Sequence, residues 1–327
     1  MDQYNGILNV YKEKGYTSFD AVARLRGILH QKKVGHTGTL DPMATGVLPV
    51  CLGKGTKICG MLTDWDKEYV TELRLGQVTD TLDVTGTLIG GDPQAALALS
   101  EEEIVRAVHA FDGGYDQIPP MYSALKKDGK RLYDLARAGI SVERSARSVR
   151  LYELEILGIS REEVPVVRLR VLCSKGTYIR SLCDDIGARL GCGGTMQSLV
   201  RTRVGPFTLE GARTLGAIEA ARDLALERGD VAFTDSRGKA CPSPESLGVA
   251  GIDSLFADLA PAQVKAEGVK PLQNGNKLAP DLLELSEDGA ASAAEGTERV
   301  RLYFPDGTFA GIYAWDGKEY RPEKVFL

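Results

Sequence analysis

No apolar run in the 327 residues approaches the ~20 residues that a membrane-spanning helix needs. The opening MDQYNGILNV has no basic segment ahead of an apolar core, so no secretory signal is expected. Histidine is scarce: His30, His36 and His109 are the whole set, and none stands in H-E-x-x-H. The six cysteines show no C-x-x-C spacing, which excludes a zinc ribbon and a small disulfide scaffold. They read as reduced, mostly buried thiols of a cytoplasmic protein. Nucleotide motifs are absent too. Leu48 stands where a phosphate loop ending at Gly53-Lys54 needs its first glycine, and GCGGTM (191–196) lacks the last glycine of G-x-G-x-x-G and follows a helix. Ser123-Ala124-Leu125-Lys126 matches the S-x-x-K of serine acyl-enzymes, but the S-D-N and K-T-G elements that accompany it are missing.

What is present is ordinary soluble composition, 43% hydrophobic and 26% charged. At ~100–200 residues per domain the length suggests about two domains. The net charge of −5 is unevenly spread. Residues 1–212 hold 27 basic and 26 acidic side chains, whereas 213–327 hold 13 and 19. The stretch 121–150 holds 8 basic and 3 acidic residues, a local net of +5. Affinity for phosphate follows local basic surface more than the whole-chain sum. Composition alone leaves a merely solvated basic face open.

The pattern along the chain is mixed. GILNVYK (6–12) reads as a strand. Thr17 or Ser18 can cap a helix starting near Phe19. A glycine-rich loop is expected over 35–46 and a strand over 47–53. EYVTELRLG (68–76) alternates with Tyr69, Thr71, Leu73 and Leu75 on one face. Ser100 and Glu103 form a capping box ahead of a helix to 111. Strands are predicted at 149–159 and 165–173, and helices at 177–191 and 214–226. Residues 234–248 read as a Ser/Gly/Pro linker. Beyond 250 come short strands and turns, with an acidic loop expected at 284–298.

Three segments could carry chemistry. In VGHTGTLDPMATGVLP (34–49) Pro42 biases Asp41 away from helical backbone, holding a short carboxylate on a constrained loop. Asp41 there could be a nucleophile, a base, a metal ligand or an Asx-turn residue. In CSKGTYIRSLCDD (173–185) Tyr178 and Arg180 alternate at a helix entry, where an always-charged arginine could pair with a buried carboxylate. In DKEYVTELRLGQVTDTLDVTG (66–86) Tyr69 could equally be core, and Asp80, Asp83 and Gly86 hint at a cation loop of the wrong spacing.

Taken together, these segments resemble the pseudouridine synthases of the TruB type, which act on uridine 55 of tRNA. GHTGTLDPMATGVLPVCLGKGTK looks like that family's catalytic motif, and NVYKEKGYTSFDAVARLR its opening motif, with Glu13 where a proline is usual. DKEYVTELRLGQVTDTLDVTG, QIPPMYSALKKDGKRLYDLARAGI and CSKGTYIRSLCDDIGARLGCGG match further blocks in the same order, covering roughly residues 5–210. The resemblance implies an α+β catalytic domain over 1–245 with a central mixed sheet flanked by helices. It implies a basic RNA-covering insertion at about 117–147 and a small β-barrel-like PUA-type domain over 250–327. It implies Asp41 as the catalytic carboxylate, Tyr69 stacked on an everted uracil, and Arg180 paired with Asp41. Tyr178 and Leu199 would line the pocket, and His36 would enter the T-loop. Lys57, Lys126, Lys130 and Arg201 would contact the RNA; Val200 replaces an arginine usual beside Arg201. No cofactor, metal, guide RNA or membrane is implied. The partner is the T-arm of tRNA, and the chain is expected to be a cytoplasmic monomer. The other readings are a non-catalytic RNA-binding or tRNA-folding module, a guide-RNA-dependent relative, and a serine acyl-enzyme using Ser123.

Overall fold

The computed structural model describes residues 3–285 and 299–327. Of the acidic stretch expected as a loop, 286–298 lie outside the described residues. The strands that carry the architecture are β1 (Gly6–Lys12), β2 (Thr45–Leu52), β3 (Lys67–Leu75), β4 (Leu151–Ser160), β5 (Val166–Cys173) and β6 (Gly194–Val204). They lie in the order β4-β5-β3-β6-β2-β1, within a nine-stranded sheet. All neighbours are antiparallel except β6 and β2, so the sheet is mixed. The α+β expectation therefore holds for this part of the chain.

Helices cover the sheet where the sequence leaves apolar stripes. They are α1 (Ser18–Ile28), α2 (Glu101–His109), α3 (Ile179–Arg189) and α4 (Leu215–Glu227). Thr17 caps α1 and Ser100 caps α2, each through a reciprocal box with the acid three residues on. Ile104, Val108, Leu182, Cys183 and Ile186 from α2 and α3 pack on Leu73, Val167, Leu169 and Val171. Val22, Leu25 and Ile218 from α1 and α4 pack on Leu8, Val10, Leu48 and Val50. In β3 burial alternates strictly, so Tyr69 and Thr71 face the core while Glu68 and Glu72 do not.

Two stretches differ from expectation. Residues 234–248 are folded onto the main body and are no linker. A short ladder pairs Phe233–Thr234 with Ala240–Cys241, Leu247 is buried, and Val249–Ala250 adds a strand beside β1. The polar composition there serves tight turns and the cap at Ser243, which a linker reading does not distinguish. β6 is an 11-residue strand that the pattern does not announce. Where it meets β2, Gly46 is required: φ is +108° and a Cβ would stand 2.2 Å from the Arg201 carbonyl oxygen.

A ladder of Tyr115–Gln117 with Arg147–Val149 closes the base of the basic segment. Within it Lys126–Lys127 and Lys130–Arg131 form a hairpin, turned by Asp128 and Gly129 at φ 50° and 80°. The C-terminal strands form a separate five-stranded sheet. Ile312 and Phe326 bind it to the main body by packing with Ile7 and Cys51. No helix among the described residues is long and apolar enough to cross a membrane.

Candidate active site

The loop between His36 and β2 is pinned from several directions. Leu40 N–H donates to Ser18 Oγ at 2.9 Å, which fixes the residue before Asp41 to the first turn of α1. The Pro42 carbonyl accepts from Gly15 N–H at 2.9 Å and from Lys12 Nζ at 3.4 Å. Lys12 is fully buried and also donates to the Tyr16 carbonyl at 2.6 Å. Burial brings its ammonium down to about 8, with Asp41 opposing that shift.

Asp41 faces Arg180 from α3. Arg180 Nε stands 3.0 Å from Oδ2, and Nη2 donates to Oδ1 at 3.3 Å. The fork geometry suits a carboxylate. The Arg180 side chain is 6% exposed, while that of Asp41 keeps 33%, so the carboxylate edge stays open to the outside. Burial pushes the Asp41 carboxyl up; Arg180 pulls it down, and the nearby Asp83 charge adds to the upward push. Arg180 also donates Nη1 to the Thr81 carbonyl at 2.9 Å and Nη2 to the Tyr122 carbonyl at 2.8 Å. The residue after Thr81, Leu82, holds φ 63°, a left-handed conformation that costs a non-glycine about 1–3 kcal/mol.

Tyr69 and Leu199 lie in one apolar cluster with Leu40 and Ala44, which flank Asp41. Tyr69 is 9% exposed, and burial raises its hydroxyl while the Arg201 charge lowers it. Tyr178 precedes α3 and is half-buried; its hydroxyl is raised by burial and lies beside Ser123. Its backbone is held by Gln117, which accepts from Tyr178 N–H at 2.8 Å and donates to the Tyr178 carbonyl at 3.0 Å. Asp41, Arg180, Tyr69, Tyr178 and Leu199 thus come together. His36 stands at the start of the loop, its imidazole made harder to protonate by burial, with the exposed Phe19 ring edge-on at 5.6 Å.

The remaining expectations separate. Lys126 and Lys130 are exposed on the hairpin. Lys57 donates to the carbonyls of Val325 and Leu327, at the seam with the C-terminal strands. The placement of Arg201 at RNA phosphate is corrected by the structure: it is 1% exposed, and a sealed guanidinium cannot meet a solvated backbone. Ser123 Oγ is buried without a hydrogen-bond partner while Lys126 is exposed, so no serine–lysine dyad assembles.

Lys12, Asp83 and Gln117 join the site without having been marked for it by motif. Lys12 has a signal, since strand alternation puts a lysine in phase with Leu8 and Val10. Asp83 reads from sequence only as a cation-loop candidate. Its carboxylate instead caps its own turn, accepting from Thr85 N–H at 2.9 Å and Thr81 Oγ1 at 3.0 Å. Nothing in sequence ties Gln117 to Tyr178.

Comparison with known proteins agrees with this geometry. Residues 26–179 match the family model described as TruB family pseudouridylate synthase (N terminal domain), and 180–232 that of the tRNA pseudouridylate synthase B C-terminal domain. The tRNA pseudouridine synthase B of Lachnoclostridium phytofermentans is 46% identical across 99% of this chain and 100% of that protein. That of Ralstonia pickettii is 40% identical across 98% of this chain and 94% of its own. Among solved structures, a Cbf5-Nop10-Gar1 complex aligns with a TM-score of 0.67 at 26% identity, over 98% of this chain and 85% of that one. An H/ACA RNP bound to a substrate RNA containing 2'-deoxyuridine gives 0.66 and 25%, with the same coverage. The class these matches define is the pseudouridylate synthases. Within it, the chain belongs to the TruB family.

Proposed function

We propose that the chain isomerises uridine 55 in the T-arm of tRNA to pseudouridine, with Asp41 as the catalytic carboxylate. The reaction breaks N1–C1′ and makes C5–C1′; the C5 proton is lost to water and N1 gains one. The balance needs no oxidant, nucleotide or metal. The uracil must leave its stack, at a cost of about a few kcal/mol. Stacking on Tyr69 returns about 1–3 kcal/mol. Leu199 and Tyr178 wall the pocket, and Arg180 favours the ionised form of Asp41 at neutral pH.

The observation that carries this reading is the one-third-open carboxylate forked to a buried arginine, in a family whose members are named for this reaction. The exposed hairpin at Lys126 and Lys130 suits phosphates of a folded RNA arm, and His36 with Phe19 suits a displaced T-loop base. We assign 1–245 to catalysis, with the insertion at about 117–147, and 250–327 to an RNA-binding unit of PUA type. We further assign a tRNA-folding role, a monomeric state, a cytoplasmic location and independence of guide RNA.

Tritium release from C5-labelled uridine in unmodified tRNA, with pure protein and no guide RNA, tests the reading. Release is expected from the wild type and not from Asp41→Asn, which should still bind tRNA. Equal release from both rejects the role of Asp41. Binding without any release by the intact protein leaves a non-catalytic RNA-binding module.

A further inference from the structure

Arg201 is the largest of the fully buried side chains. Among the described residues no carboxylate compensates its charge; the neighbour that favours its charged form is the Tyr69 hydroxyl. A buried cation without an acid is costly, and an apolar residue of similar volume would serve stability better. Its hydrogen bonds show what it holds. Nε donates to the Val47 carbonyl at 2.7 Å, and Nη2 to the Gly38 carbonyl at 3.2 Å. Those two carbonyls bracket the segment that presents Asp41. The backbone of Arg201 lies opposite Tyr69 on β3 and opposite Gly46 on β2. One side chain therefore ties both ends of the Asp41 loop, from a strand position directly opposite the aromatic wall of the pocket.

We propose that Arg201 is a positioning residue for the isomerisation, fixing the Asp41 loop and Tyr69 in their reactive arrangement without touching tRNA. This rests on the function proposed above. The two carbonyl hydrogen bonds constrain the loop, and the guanidinium charge acts on the Tyr69 hydroxyl. Arg201→Lys keeps a donor and the charge but cannot span both carbonyls. Arg201→Met holds neither carbonyl and places no charge beside Tyr69.

The test compares tRNA affinity with the single-turnover rate of tritium release at saturating enzyme, a rate independent of the fraction of protein that folds. Arg201→Met is expected to slow that rate about 100-fold, the scale of a ~1 Å misplacement, with Arg201→Lys in between. The Kd for tRNA should remain that of the wild type. Lys126→Ala/Lys130→Ala, on the exposed hairpin, should instead show its main effect as a weakened Kd. If Arg201→Met does not fold, Arg201→Lys alone decides. An unchanged saturated rate overturns the proposal. So does a weakened Kd with a salt slope smaller by about 1, the mark of one phosphate no longer neutralised. A wild type that releases no tritium would defeat the proposed function itself, a result separate from either.

Discussion

Replacing Arg180 by methionine separates charge from geometry at Asp41. The fork sits at 3.0 and 3.3 Å. At charge centres roughly 4 Å apart and an effective dielectric of ~20, the attraction is about 4 kcal/mol at most. Asp41 is one-third open, so solvent screens part of this. The sign follows from the chemistry. In the proposed mechanism Asp41 acts as a carboxylate, so activity should rise with pH through its ionisation. Burial and Asp83 already push that ionisation up. Without the guanidinium it moves higher, and the acid limb of the pH–rate profile shifts towards alkaline pH. Arg180→Lys keeps the charge but gives up the fork and one of the hydrogen bonds to Thr81 and Tyr122. Its limb should move little while its plateau falls. Tritium release measured between pH 5 and 9 reads both. A methionine variant with the wild-type acid limb would refute the claim that this pair keeps Asp41 charged.

Reversing the hairpin charges with Lys126→Glu and Lys130→Glu should weaken tRNA binding and lower the salt slope by about 1 for each phosphate left without its lysine, checked by filter binding at several salt concentrations. Gln117→Ala leaves the backbone N–H of Tyr178 unpaired and its carbonyl with the Leu182 N–H alone. It should cost about 1–3 kcal/mol in denaturant unfolding and lower the saturated rate as α3 loses its anchor. Gly46→Ala forces a Cβ to within 2.2 Å of a backbone oxygen. It should give little soluble protein, and a variant that folds with the wild-type Tm would contradict the close approach of β2 and β6.

Much of the frame is legible because local rules decide it. The alternation in 67–75, the boxes at Thr17 and Ser100, and the stop at Gly191 each follow from residues within one turn or one strand. β6 escapes because two register irregularities break its alternation and a run of glycines precedes it. The core of the site is legible through motif resemblance, not periodicity. Arg201 misleads because the resemblance puts it at the RNA while nothing local in the sequence marks its burial. Its burial comes from β2, whose carbonyl at Val47 lies 154 positions away. Hydrogen bonds of that span leave no trace in composition. The same holds for Gln117 and Tyr178, which are 61 residues apart.

The triple grip of Arg180 bears on protein engineering. The guanidinium joins the Asp41 loop, the Thr81 turn and the Tyr122 carbonyl at the root of the basic arm. Retargeting to another RNA by swapping arms is therefore feasible only beyond that root. A chimera that keeps 115–123 and 147–149 can exchange the hairpin and the residues that follow it to 146, whereas one cut at the ladder would arrive with its chemistry already disarmed.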